Sequence, residues 1–186
     1  MQASETDRLL GATRAAGRRT RSILAGNSFP MILFGVLALA SAPVAEAWSW
    51  PAIAVLWLVG APLASVATGL WYRSRELEHG VAANAWPFIA TAVCIVVGAT
   101  ALGFAGRGGA LSYAGPLFVI GLGYLVFARL ERSVPVAGLA ACVLVSAIAL
   151  ALLRPSHAYT IGVVVFGVGS VLLGVVSLVR ERRIDG

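Results

Sequence analysis

The chain has 186 residues, of which 59% are hydrophobic, and carries 14 basic against 8 acidic side chains for a net charge of +6 at neutral pH. That apolar share lies above the range of ordinary soluble domains, so a soluble globular fold is excluded. Every basic residue is Arg, and without Lys no Schiff base to retinal or a pyridoxal cofactor can form, which removes rhodopsin-like and pyridoxal chemistry.

Six apolar runs approach the roughly 20 residues that a bilayer-spanning helix requires: 29–45, 51–72, 81–105, 110–128, 133–153 and 158–179. None alternates with period two, so the reading is all-α, a polytopic transmembrane bundle of six helices and not a barrel. The chain divides into a basic amphipathic N-terminal segment (1–28), a six-helix transmembrane domain (29–179) and a short basic tail (180–186). The connections are too short to hold a folded domain, which confines any chemistry to the bundle, its mouths or the N-terminal segment.

Within residues 1–28, Ser4 and Asp7 make a capping-box-like helix start. At 100° per residue Leu9, Ala16 and Ile23 fall on one stripe, with Arg8, Arg14, Arg18, Arg19 and Arg21 opposite. A basic amphipathic helix of this kind lies on an anionic leaflet; a frayed tail that only holds the N-terminus in the cytoplasm is the alternative. The apolar run Met31–Ala40, Pro43 and Ala45-Glu46-Ala47 imitate a cleavable signal peptide, but the long basic stretch before them favours a retained span.

Trp48 and Trp50 stand as an aromatic anchor at the far water boundary. The second run holds Pro62 near its middle, where proline kinks a helix, and Gly60, Ala64, Ser65 and Gly69 permit close helix approach. Trp71–Gly80, WYRSRELEHG, reads as the loop between the second and third runs and as the topological pivot of the chain. Arg73 and Arg75 in this loop, with Arg14, Arg18, Arg19 and Arg21, are candidate contacts for anionic lipid headgroups or a partner. Pro62, Gly121, Gly123, Gly167 and Gly169 are candidates to line a path or to pack helices.

Orientation follows from the arginines. With the N-terminus in the cytoplasm, Arg107 and Arg154 alone face outward and the other 12 face inward, so the positive-inside rule predicts N-in and C-in in a bacterial plasma membrane. Short connections predict three antiparallel hairpins of sequential neighbours. FVIGLGYLV at 118–126 resembles VVFGVGSVL at 164–172, an internal likeness that a repeat or common membrane composition would both produce.

Groups for chemistry are sparse. No Asp, Glu, Arg or His lies deep in a run, although carriers coupled to ions or protons place such groups there. Glu46 reads as an interfacial carboxylate. His79 and His157 fall on opposite sides, so no haem or metal is held jointly, and each reads as a solvated loop residue. Asn84, Ser65, Thr68, Thr91, Thr100, Ser146 and Ser170 read as interhelical glue or as bonding back to their own helices. Cys94 and Cys142 should lie at similar depth as small buried core residues. No P-loop, dinucleotide motif, HExxH or nucleophile elbow is present, and no cofactor or nucleic-acid partner is expected.

The stretches FPMILFGVLAL, WYRSRELEHGV and ARLERS resemble six-helix actinobacterial membrane proteins without an assigned activity, over nearly the whole chain. The last hairpin, VAGLAACVLVSAIALALLRPSHAYTIGVVVFGVGSVLLGVVSLVRERR, is similar to the repeated hairpin of the HdeD-like acid-resistance membrane family in its glycine placement, its proline after the odd helix and its terminal arginines. In the middle hairpin Arg107-Gly108-Gly109 stands where that pattern has proline. The many small-residue faces, short connections and missing catalytic groups predict a non-enzymatic accessory, stress-related or regulatory membrane protein that associates with itself or a membrane partner; the alternative is a small permease, exporter or lipid-handling subunit. A membrane enzyme would have to use Glu76, Glu78 and His79 at a mouth.

Overall fold

A computed structural model describes residues 28–48, 50–79, 86–106 and 109–185. Among them are six α-helices: α1 (Ser28–Ala47), α2 (Trp50–His79), α3 (Trp86–Ala105), α4 (Ala110–Glu131), α5 (Val134–Leu153) and α6 (Ala158–Asp185). All six are long and apolar enough to cross a membrane. Helices are what such sequences must form in lipid, because no water is present to satisfy an open backbone N–H or C=O. The N-terminal arginines Arg14, Arg18, Arg19 and Arg21 lie outside the described residues.

Two helix ends depend on unusual backbone geometry. Arg132 caps α4 with φ 55° and ψ 39°, its N–H bonded to the Ala128 carbonyl, and Ser133 N–H reaches the same oxygen at 3.0 Å. Arg154 caps α5 with φ 47° and its N–H on the Leu150 carbonyl. Left-handed conformation is a glycine habit and is disfavoured for a branched-off side chain. In both places a proline follows within three residues and stops the helix from continuing, so an arginine absorbs the reversal.

The segment expected to be a loop at Trp71–Gly80 is corrected. Trp71 to His79 forms the last two turns of α2. Arg, Glu and Leu are strong helix formers, and charges of both signs three to four residues apart support a helix surface, so charge marks the water boundary without ending the helix. The third helix is described from Trp86, with residues 80–85 outside the described set.

Helices α1 and α6 share the longest seam of the bundle. They run antiparallel: Ser28 meets Gly174, Gly35 meets Gly167, and Glu46 meets His157. On the other side of α6, α5 packs between α6 and α4. Gly121 of α4 and Gly169 of α6 press on Leu144 and Leu139 of α5, while Gly123 and Gly167 lie against Ile95 of α3 and Leu39 of α1. The two G-x-G sequences thus perform the same task, each joining its helix to α5 and to one further helix, α3 or α1. The buried core gathers Ala38 of α1, Leu117 of α4, Val143 and Ala147 of α5, and Val163 and Phe166 of α6.

The outer positions go to α2, beside α1, and α3, beside α4. These two are consecutive in the chain yet do not pack along one another, so the expectation that every short connection joins neighbours fails there. The cysteines also differ from expectation. Gly123 lies against Ile95 and Gly121 against Leu144, which puts Cys94 and Cys142 at one level on opposite flanks of α4, but both are exposed on the bundle surface. In lipid an apolar thiol gains little by facing inward, and the interior places went to smaller residues that let backbones approach.

Candidate functional site: the polar mouth of the α1–α6 seam

The seam begins as a close backbone contact. A Cβ on Gly35 would stand 2.9 Å from the Gly167 carbonyl oxygen, one on Gly167 would stand 2.9 Å from the Gly35 carbonyl oxygen, and one on Gly174 would stand 2.9 Å from that of Ser28. Only hydrogen fits at these three places. The small residues of both helices therefore bring their polar side chains within reach of one another further along.

At the end away from Ser28, three helices are tied by a directed chain of hydrogen bonds. The Trp57 indole N–H of α2 donates to the Tyr159 hydroxyl of α6 at 2.8 Å, Tyr159 donates to Ser41 Oγ of α1 at 3.0 Å, and Ser41 donates to the Ala38 carbonyl at 2.7 Å. Each hydroxyl both accepts and donates, and the indole, a donor only, starts the chain. Ser41 is fully buried, so these bonds replace water that the site cannot admit.

One turn nearer the surface, Glu46 at the end of α1 meets the start of α6. His157 Nδ1 lies 2.9 Å from both carboxylate oxygens, and Thr160 donates its hydroxyl to Glu46 Oε1. The pair is half-open to solvent, with side-chain exposures of 64% for His157 and 45% for Glu46. His157 is thus not the solitary loop residue expected from sequence, and Glu46 is no bare interfacial acid. Sequence reasoning also passed over Ser41, Trp57 and Tyr159. The available signal was pairwise: if residues of α1 and α6 face each other when their numbers sum to about 202, as Gly35 and Gly167 do, Ser41 and Glu46 fall opposite Tyr159 and His157.

The other singled-out residues have different surroundings. Gly121, Gly123, Gly167 and Gly169 are helix contact points as described, and Pro62 lies on the exposed face of α2. Arg73 is exposed; the Arg75 guanidinium carbon sits 4.6 Å over the Trp71 ring, which in turn stacks on Phe29 of α1 at 5.6 Å. This cluster fastens the far end of α2 to α1. Ser65 and Thr91 bond back to the carbonyls of Ala61 and Pro87. Thr68 Oγ1 has no hydrogen-bond partner among the described residues, whereas the fully buried Ser170 Oγ lies beside the Tyr124 hydroxyl of α4, whose ring meets Phe166 of α6 edge-on at 5.5 Å. Among the described residues no group of three His, Cys, Asp or Glu side chains gathers to hold a metal ion.

The architecture defines a multi-pass α-helical integral membrane protein. Comparison with protein-family models, with curated proteins and with solved structures finds no match.

Proposed function

We propose that the protein is a non-enzymatic component of a bacterial plasma membrane, with both termini in the cytoplasm, and that it has an accessory, stress-related or regulatory role exercised through helix–helix association. The surface for association is the outer face of α3, and the occupant is a second copy or a membrane partner. One observation carries this reading. Helix α3 contributes no buried residue, packs along α4, and presents Trp86, Val93, Val97 and Phe104 outward. Van der Waals packing between such faces is what brings spanning helices together, since lipid offers no hydrophobic penalty to drive them. The arginines Arg73 and Arg75, with Arg14, Arg18, Arg19 and Arg21, would then hold the cytoplasmic side on anionic headgroups.

The native thiols supply a test. Cys94 lies exposed on α3 and Cys142 exposed on α5, and mild oxidation of intact membranes should produce a covalent dimer that Cys94→Ser abolishes and Cys142→Ser retains. The companion measurement is mass in mild detergent. A monodisperse monomer that brings no partner with it, together with no Cys94 cross-link, overturns the reading.

A further inference from the structure

The Glu46–His157 pair fixes more than a helix contact. A carboxylate only accepts hydrogen bonds, so an imidazole nitrogen 2.9 Å from both of its oxygens must be the protonated one. In a neutral ring that leaves the lone pair on Nε2. Thr160 holds the carboxylate from behind by donating to Oε1. Nε2 itself has no partner among the described residues, and the ring is 64% exposed. The seam does not need this nitrogen. One turn deeper the Trp57–Tyr159–Ser41 chain already joins the helices, and Thr160 alone links Glu46 to α6.

We propose that Thr160, Glu46 and His157 form a proton-exchange site at the mouth of the α1–α6 seam, in which the hydroxyl orients the carboxylate, the carboxylate holds the proton on Nδ1, and Nε2 accepts and returns a proton. The substrate class is a small acid, water-borne hydronium or an acidic group at the membrane surface. Protonation forms one N–H bond at Nε2 and breaks one O–H bond on the donor. The positive charge that appears on the ring lies against the Glu46 carboxylate, and release restores the starting tautomer. A carboxylate behind an imidazole is the arrangement that elsewhere sets which ring nitrogen works as the base or the ligand. Among the described residues, two further ionisable groups stand within three positions of His157: Tyr159 on α6 and Arg154, which caps α5. This proposal is independent of association through α3.

The full-length protein in lipid nanodiscs, with His79→Gln removing the only other histidine, allows a direct reading. Nitrogen-15 spectra of the neutral ring should show it protonated at Nδ1. Glu46→Ala should move the proton to Nε2, whereas Glu46→Gln, whose amide oxygen still accepts, should keep it on Nδ1. Diethyl pyrocarbonate, whose carbonyl carbon the imidazole lone pair attacks, should modify His157 severalfold more slowly in Glu46→Ala than in the parent. A parent ring protonated at Nε2 overturns the proposal without any variant. So does a Glu46→Ala protein whose tautomer and reaction rate match the parent.

Discussion

Helices α3 and α6 are both apolar enough to span a bilayer, yet they have opposite fates in the bundle. Helix α6 packs against α1, α4 and α5 and buries Gly162, Val163, Phe166, Gly167, Ser170 and Gly174; α3 packs on α4 and buries nothing. Hydrophobicity therefore does not decide which helix is central. In water it would, because burial of apolar surface drives folding. Between helices already in lipid the deciding terms are close approach and hydrogen bonding, and α6 carries glycines on three of its flanks and the Tyr159 hydroxyl.

The largest effect that sharpens this comparison comes from closing the seam. Gly35→Leu would drive a side chain into the Gly167 carbonyl and the Val171 backbone, costing ~3 kcal/mol, the upper end of overpacking, and separating α1 from α6. Loss of the folded band after nanodisc reconstitution, or a strongly lowered unfolding midpoint, is the expected outcome. Val97→Leu on the outer face of α3, where exposure leaves room, should lie within about 0.5 kcal/mol of the parent.

Next in size is Tyr159→Phe. It deletes the joint between Trp57 and Ser41, and cross-helix hydrogen bonds in membranes are worth about 1 kcal/mol. The stability loss should come with a blue-shifted or quenching-altered Trp57 fluorescence, read in a background from which the other tryptophans have been removed. A smaller effect, of reversed sign, is expected at Thr68, whose buried hydroxyl has no partner among the described residues. Thr68→Val removes an unsatisfied group and should leave stability unchanged or raise it by up to ~1 kcal/mol, as measured by the same unfolding assay.

Much of the fold was legible from sequence because the membrane imposes length and apolarity on every span. The runs at 110–128, 133–153 and 158–179 begin at or within one residue of helices α4, α5 and α6. What misled was charge: the residues from Arg73 to His79 read as a loop because they are polar, whereas α2 and α6 simply continue into the aqueous layer as helices. The mouth of the seam was not legible, since Glu46 and His157 are 111 residues apart and each looks ordinary alone. Their meeting depends on which helices are neighbours, and hydropathy is silent on that. Glycines such as Gly35 and Gly174 do encode it, but only once paired with their opposite carbonyls. The thiols show the same limit: depth followed from position in the span, while facing did not.

Bare backbone contact between α1 and α6 organises the bundle, and a pair of identical substitutions separates that contact from ordinary helix propensity. At Gly167 a methyl group would meet Leu39 and the Gly35 carbonyl oxygen at 2.9 Å; at Gly138 on α5 it would meet nothing within 4 Å. Helix propensity alone favours Ala at both by about 1 kcal/mol. Unfolding midpoints measured in the same nanodiscs should fall for Gly167→Ala and hold or rise for Gly138→Ala. Equal shifts in the two proteins, or a rise at Gly167, would contradict the account.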